Sequence, residues 1–186
     1  RRIPVVDPSM PTAVLVGSPN VGKSSLVRKI STGTPEVRDY PFTTRGMTMG
    51  HVMDPIMKQR ACQVMDTPGL LPREDTARNH MELLTLACVQ FLPSQVVFVL
   101  DLTGGAGAKS AIESQLAVRE ELRERFPWKS WIDVLSKADL PREAISPELE
   151  RRLPLEAIAV SCQTGEGVEE FRSLLFERIP GLGVPS

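Results

Sequence analysis

Residues 17–24 read Gly17-Ser18-Pro19-Asn20-Val21-Gly22-Lys23-Ser24, a match to the spacing GxxxxGK[ST]. Glycines let a backbone wrap closely around an anion. Successive N–H groups then point into one concavity, and a helix starting directly afterwards adds the positive pole of its dipole. A lysine in such a loop bridges the outer two phosphates of a nucleoside triphosphate, and the following Ser24 offers a hydroxyl to magnesium. The bland alternative is a glycine-rich turn with an incidental lysine. The apolar stretch at 13–16 and the helical stretch at 25–30, which Ser25 opens, argue against it. Further on, Asp66-Thr67-Pro68-Gly69 follows another apolar run, where an acid can hold the magnesium through water and a glycine N–H can face the γ-phosphate. Between these lies Tyr40-Pro41-Phe42-Thr43-Thr44-Arg45-Gly46, too rich in turn formers for a regular helix. A threonine hydroxyl there can complete the metal shell. Thr44 is favoured, with Thr43 the neighbouring candidate. The expected metal set is thus Ser24, Thr44 and Asp66.

A second group of residues suits a base. Ser136-Lys137-Ala138-Asp139 resembles the NKxD motif by which GTPases recognise guanine. A carboxylate accepts both the ring N1–H and the 2-amino group of guanine, a pair adenine cannot offer, and leaving such groups unmatched is costly. Asp139 would therefore select guanine while the aliphatic stem of Lys137 lies along the purine. Serine stands where asparagine is usual, so Ser136 is expected to hold its loop less firmly. Ser161-Cys162 resembles the SA motif, whose backbone N–H meets the guanine O6.

These pieces must be carried by short strands and amphipathic helices. Strands are expected over 13–16, 47–53, 61–65, 95–100, 132–135 and 157–160, separated by segments of helical period, the pattern of an α/β three-layer sandwich. Met81, Leu84, Cys88 and Phe91 form one core stripe; Val168, Phe171, Leu175 and Ile179 form another. Ile112, Leu116, Leu122 and Phe126 mark a further helix, whose charges Arg119, Glu120, Glu121, Arg123 and Glu124 read as a solvated face. His51 and His80 are expected to be structural or mobile and not catalytic bases. Trp128 and Trp131 read as packing residues, since neither sits in a basic cluster.

Bulk properties set the limits. The 186 residues suffice for one domain with a core that is mainly aliphatic, 41% of them being hydrophobic. Lys and Arg number 22 against 23 acids, a formal charge of −1, so no global basic field invites RNA or an anionic membrane. Cys62, Cys88 and Cys162 lie far apart without metal-ligand spacing. No apolar run approaches the ~20 residues a membrane span needs. The chain begins at Arg1 with no leader pattern and reads as a fragment, its targeting signals outside it. The expected layout is an N-terminal extension at 1–10, a nucleotide-binding domain at 11–179 and a tail at 180–186.

With five motifs in order, the chain resembles the Obg/Nog group of P-loop GTPases over nearly its whole length. The stretch YPFTTRGMTMGH at 40–51, with PVVDP at 4–8 and GSPNVGKSSLVRKIS at 17–31, is most similar to the nucleolar GTP-binding (Nog) family. That resemblance implies a P-loop GTPase fold with a mostly parallel six-stranded sheet and helices on both faces. It also implies GTP and GDP as ligands, magnesium as cofactor, and a role in assembling the large ribosomal subunit. The partner would be the pre-ribosomal large subunit or its rRNA. It places the protein inside the cell, in the nucleolus or, for other relatives, the cytoplasm or an organelle such as the chloroplast. The domain itself reads as monomeric. The resemblance makes Lys23, Thr44, Gly69 and Asn20 the catalytic set. Where small signalling GTPases carry a water-orienting glutamine, this chain has Leu70, which cannot polarise water, so positioning and charge neutralisation must come from elsewhere. Asn20 resembles the potassium-coordinating asparagine of related GTPases; its alternative role is to brace the loop. Rival readings are a nucleotide-loaded scaffold with little hydrolysis, and a P-loop kinase or ATPase, against which Asp139 argues.

Overall fold

The computed structural model describes residues 10–39, 46–54 and 60–179. In chain order its elements are strand β1 (Thr12–Val16), helix α1 (Lys23–Ile30), strands β2 (Glu36–Asp39), β3 (Gly46–Met53) and β4 (Arg60–Met65), helix α2 (His80–Phe91), strand β5 (Ser94–Leu100), helix α3 (Ile112–Arg125), strand β6 (Trp131–Leu135), helix α4 (Pro147–Arg152), strand β7 (Ile158–Ala159) and helix α5 (Val168–Arg178). One seven-stranded sheet results, in the order β2-β3-β4-β1-β5-β6-β7. Pairing is parallel from β4 through β1, β5 and β6 to β7, and antiparallel at β3–β4 and β2–β3.

The six expected strands are all present, with β2 as a seventh on the edge. Glu-Val-Arg-Asp lacks the apolar run of the others because none of its four residues is buried, and Val37 is 62% exposed. Charge on an edge strand deters further pairing.

Central strands carry the core. All five residues of β1 are buried. Val14 and Val16 point into one cluster with α2 and α3, while Ala13 and Leu15 point into the other with α1 and α5. β5 repeats the alternation, with Val96, Phe98 and Leu100 on one side and Val97 and Val99 on the other. A sheet buried on both faces needs such continuous apolar strands, which gives the three layers. Among the described residues no helix is long and apolar enough to cross a membrane.

The α5 stripe is core throughout, Val168, Phe171, Leu175 and Ile179 all being buried. The α2 stripe ends one residue early: Phe91 is 72% exposed, because the helix closes at that residue and the chain leaves through Leu92, which takes the buried position. The charged face of α3 is also not simply solvated. Arg119 and Arg123 both reach Asp133 on β6, at 2.8 and 2.7 Å, and Asp133 is 5% exposed. A carboxylate forced under the helix by strand alternation gathers the two guanidiniums that can reach it. Glu121 meets Arg78, whose side chain is wholly buried. Trp131 packs as expected, with Arg123 over its ring, but Trp128 is 65% exposed, touching only the edge of Phe126 among the described rings.

Candidate nucleotide site

All the predicted loops that fall among the described residues lie at the C-terminal ends of the parallel strands. The glycine-rich loop leaves β1, the DTPG loop leaves β4, the SKAD loop leaves β6 and Ser161-Cys162 follows β7. This is the edge of an open α/β sheet where ligands bind. Thr43 and Thr44 lie outside the described residues.

The phosphate loop takes its shape from close contacts. Gly17 has φ 155°, and a Cβ there would stand 2.6 Å from the carbonyl of Val99 on β5. Gly22, at φ 101°, turns the chain into α1. Asn20 adopts φ 62°, unusual for a residue with a side chain, and is exposed at the loop's tip. Lys23 is 6% exposed and donates to the carbonyls of Ser18 at 2.8 Å and Gly17 at 3.3 Å. Its ammonium thus crosses back over the loop. Burial lowers its pKa from 10.5 to about 8, against the pull of Asp66. Burial likewise raises Asp66, with Lys23, the Thr67 backbone and Arg28 opposing. The site holds a positive charge where phosphate oxygens can complete its hydrogen bonds. Ser18 Oγ is buried with no hydrogen-bond partner among the described residues.

The DTPG loop packs on the phosphate loop. Thr67 Oγ1 donates to Leu15 O at 2.7 Å, the N–H of Leu70 donates to Gly17 O at 2.9 Å, and a Cβ on Gly69 would collide with Pro19 N at 2.6 Å. Gly69 is therefore required for the approach of the two loops. Leu70 is fully buried in the core with Val14, Val16 and Leu84. Its side chain belongs to the core and not to the surface of the loop. Ser110, after β5, braces the same loop by donating to Pro19 O at 2.7 Å.

Ser24 and Asp66 are the described oxygen donors that suit magnesium. A hard cation takes hydroxyl, carboxylate and water oxygens, and a carboxylate whose ionised form is penalised by burial gains from a cation beside it. The bound ion would supply charge neutralisation to the phosphates.

At the other end the expectation that Ser136 holds its loop loosely is corrected. Its Oγ lies 2.6 Å from Val21 O and 3.1 Å from Leu100 O, and its N–H donates to Leu100 O at 2.8 Å. Serine is short, but the loop after β6 lies close enough to the phosphate loop for its hydroxyl to reach Val21 O directly. The two halves of the site are tied together there. Lys137 sits at φ 54°, Ala138 N donates to Val160 O at 3.1 Å, and Ser161 Oγ donates to Asp139 Oδ1 at 2.7 Å. Ser161 also accepts from Thr164 N at 3.0 Å. The Asp139 carboxylate is thus oriented from the neighbouring loop. Cys162 is half-buried, its thiol raised by burial and lowered by Lys29 and Arg28. Two residues went unnoticed in the sequence: Ser110, and Asp101, whose one signal is an acid directly at the end of a strand.

Together these elements define a P-loop GTPase domain, and the comparisons with known proteins agree. Residues 12–137 match the family model described as 50S ribosome-binding GTPase, and the chain belongs to that family. It is 35% identical over 175 residues to nucleolar GTP-binding protein 1 of Arabidopsis thaliana, covering 94% of the chain and 25% of that protein. With the protein of the same name from Saccharomyces cerevisiae it is 32% identical over 186 residues, covering 96% of the chain and 28% of the relative. A crystal structure of a Plasmodium falciparum chain described as nucleolar GTP-binding protein 1 superposes with a TM-score of 0.72 at 26% identity, over 92% of this chain and 87% of the other. The chain spans about a quarter of the length of the curated relatives it matches.

Proposed function

We propose that residues 11–179 form a guanine-nucleotide switch that hydrolyses GTP slowly on its own and serves assembly of the large ribosomal subunit. The observation that carries this reading is the pairing of two ends in one site. Lys23 crosses the phosphate loop, Asp139 is oriented by Ser161, and Ser136 joins the two through Val21. Residues 17–25 and 66–69 hold the phosphates, with Ser24, Asp66 and Thr44 around magnesium. Ser136, Lys137, Asp139, Ser161 and Cys162 hold the base. Lys23 and the N–H of Gly69 stabilise charge on the γ-phosphate, and Asn20 holds a monovalent cation beside it. Buried Leu70 supports the need for such help, since no side chain at that position meets the water. The description of the family supports the ribosomal partner, and the names of the relatives support a nucleolar location.

The test is multiple-turnover GTP hydrolysis in sodium or potassium, with and without large ribosomal subunits. Potassium is expected to raise the rate by at least about tenfold, an effect on the scale of one neutralising charge, and Asn20→Ala to abolish the difference. Equal rates in both salts end the cation role. Buried Leu70 equally favours a scaffold that binds GTP and barely hydrolyses it; binding without stimulated phosphate release in any arm selects that reading.

A further inference from the structure

Asp101 follows the last residue of β5 and is fully buried. Its N–H donates to Gln115 Oε1 at 2.8 Å and its carbonyl accepts from Gln115 Nε2 at 2.9 Å, so α3 fixes its backbone. Its side chain is equally constrained. Oδ1 accepts from Thr103 N at 2.8 Å and Thr103 Oγ1 at 2.6 Å, and Oδ2 accepts from Lys137 Nζ at 2.6 Å. Thr103 Oγ1 in turn accepts from Gly105 N at 3.1 Å. Burial pushes the carboxyl up, but Lys137 and the two Thr103 donors outweigh it and hold it below the usual carboxylate range.

Lys137 is therefore pinned twice, by its left-handed backbone and by its ammonium, and its four-carbon stem is stretched between, with the side chain 32% exposed. An apolar lysine stem held at both ends is a ready-made ledge for a purine face; an untethered one must be ordered each time a base docks. We infer that Asp101 is a positioning residue for the base, setting guanine-nucleotide affinity by holding the stem of Lys137 in place. This rests on the guanine-nucleotide reading above. Asp101 acts through Lys137 and leaves the choice between purines to Asp139, which is held separately by Ser161.

The experiment measures GDP and IDP affinities with magnesium for the wild-type chain, Asp101→Asn, Lys137→Met, Asp139→Asn and the Asp101→Asn/Lys137→Met double variant. Asp101→Asn is expected to weaken GDP and IDP alike by about tenfold, the scale of coupling between contacting residues. The GDP-to-IDP ratio stays within about twofold of wild type, and in the Lys137→Met background the Asp101 substitution adds less than about twofold. Asp139→Asn, in contrast, changes the ratio. Wild-type affinity in Asp101→Asn overturns the inference, as does a full additive loss in the double variant or a ratio shift like that of Asp139→Asn. If Asp101→Asn fails to fold by circular dichroism, Asp101→Glu carries the test: its extra methylene displaces the ammonium, so unchanged GDP affinity overturns the inference and a loss confined to the Lys137-containing background supports it. A wild-type chain that binds no GDP overturns the underlying reading instead.

Discussion

Lys23 shows how a buried cation can be kept for a ligand. Among the described residues its ammonium donates to two carbonyls and feels the partly offsetting field of Asp66, and its pKa falls to about 8. The linkage has a definite sign. Between pH 8 and the unfolded value of 10.5 the unfolded chain binds this proton and the native chain does not, so stability rises with pH across that window. Full relief of the shift corresponds to ~3 kcal/mol. Thermal unfolding of the nucleotide-free protein from pH 7 to 10 should therefore show a stabilising contribution that Lys23→Met lacks; superimposable profiles for the two proteins would contradict it. The residue types at 17–24, 66–69 and 136–139 marked in the sequence the loops that the fold gathers at one sheet edge, because phosphate and guanine each demand a narrow chemistry. Ser136 was read less well. Its reach depends on how near the phosphate loop and the loop after β6 lie, a distance that sequence spacing does not encode.

Among the elements, strands were more legible than helix faces. β1 and β5 are buried on both sides and read as unbroken apolar runs, whereas β2, on the edge, has no such demand and carries no pattern to find. Periodicity placed Phe91 and Phe171 alike in core stripes. Where a helix ends decides which is right, and Phe91 lies at a terminus facing water while Phe171 is fully buried. Phe171→Ala should cost about 3–5 kcal/mol by opening a cavity between α5 and the sheet. Phe91→Ser should stay within about 0.5 kcal/mol of wild type, as exposed positions do. Chemical denaturation of the two variants checks both; equal losses would mean α2 is packed differently. The α3 face illustrates the same limit. Charges at helical spacing look solvated until a strand places a carboxylate beneath them, as β6 places Asp133.

At the scale of the molecule, the parallel core of the sheet carries four loops to one edge. Ties among the described residues keep the loops in register, among them Ser136 and Ser110 on the phosphate loop and the close approach of Gly69 to Pro19. The phosphate loop and the loop after β6 are thereby joined within one sheet edge. Family membership and fold agree with this layout. The chain's own charge is near neutral, at −1, and offers no global basic field.

The most direct test is titration of the domain with a fluorescent guanine nucleotide and magnesium, with GTP and ATP as competitors, in wild-type and Lys23→Ala proteins. The account predicts saturable binding displaced by GTP and not by equimolar ATP, weakened at least about a hundredfold by Lys23→Ala, the loss expected of a charged hydrogen-bond donor to phosphate. No saturable signal, equal displacement by ATP, or an unaffected Lys23→Ala protein would contradict it.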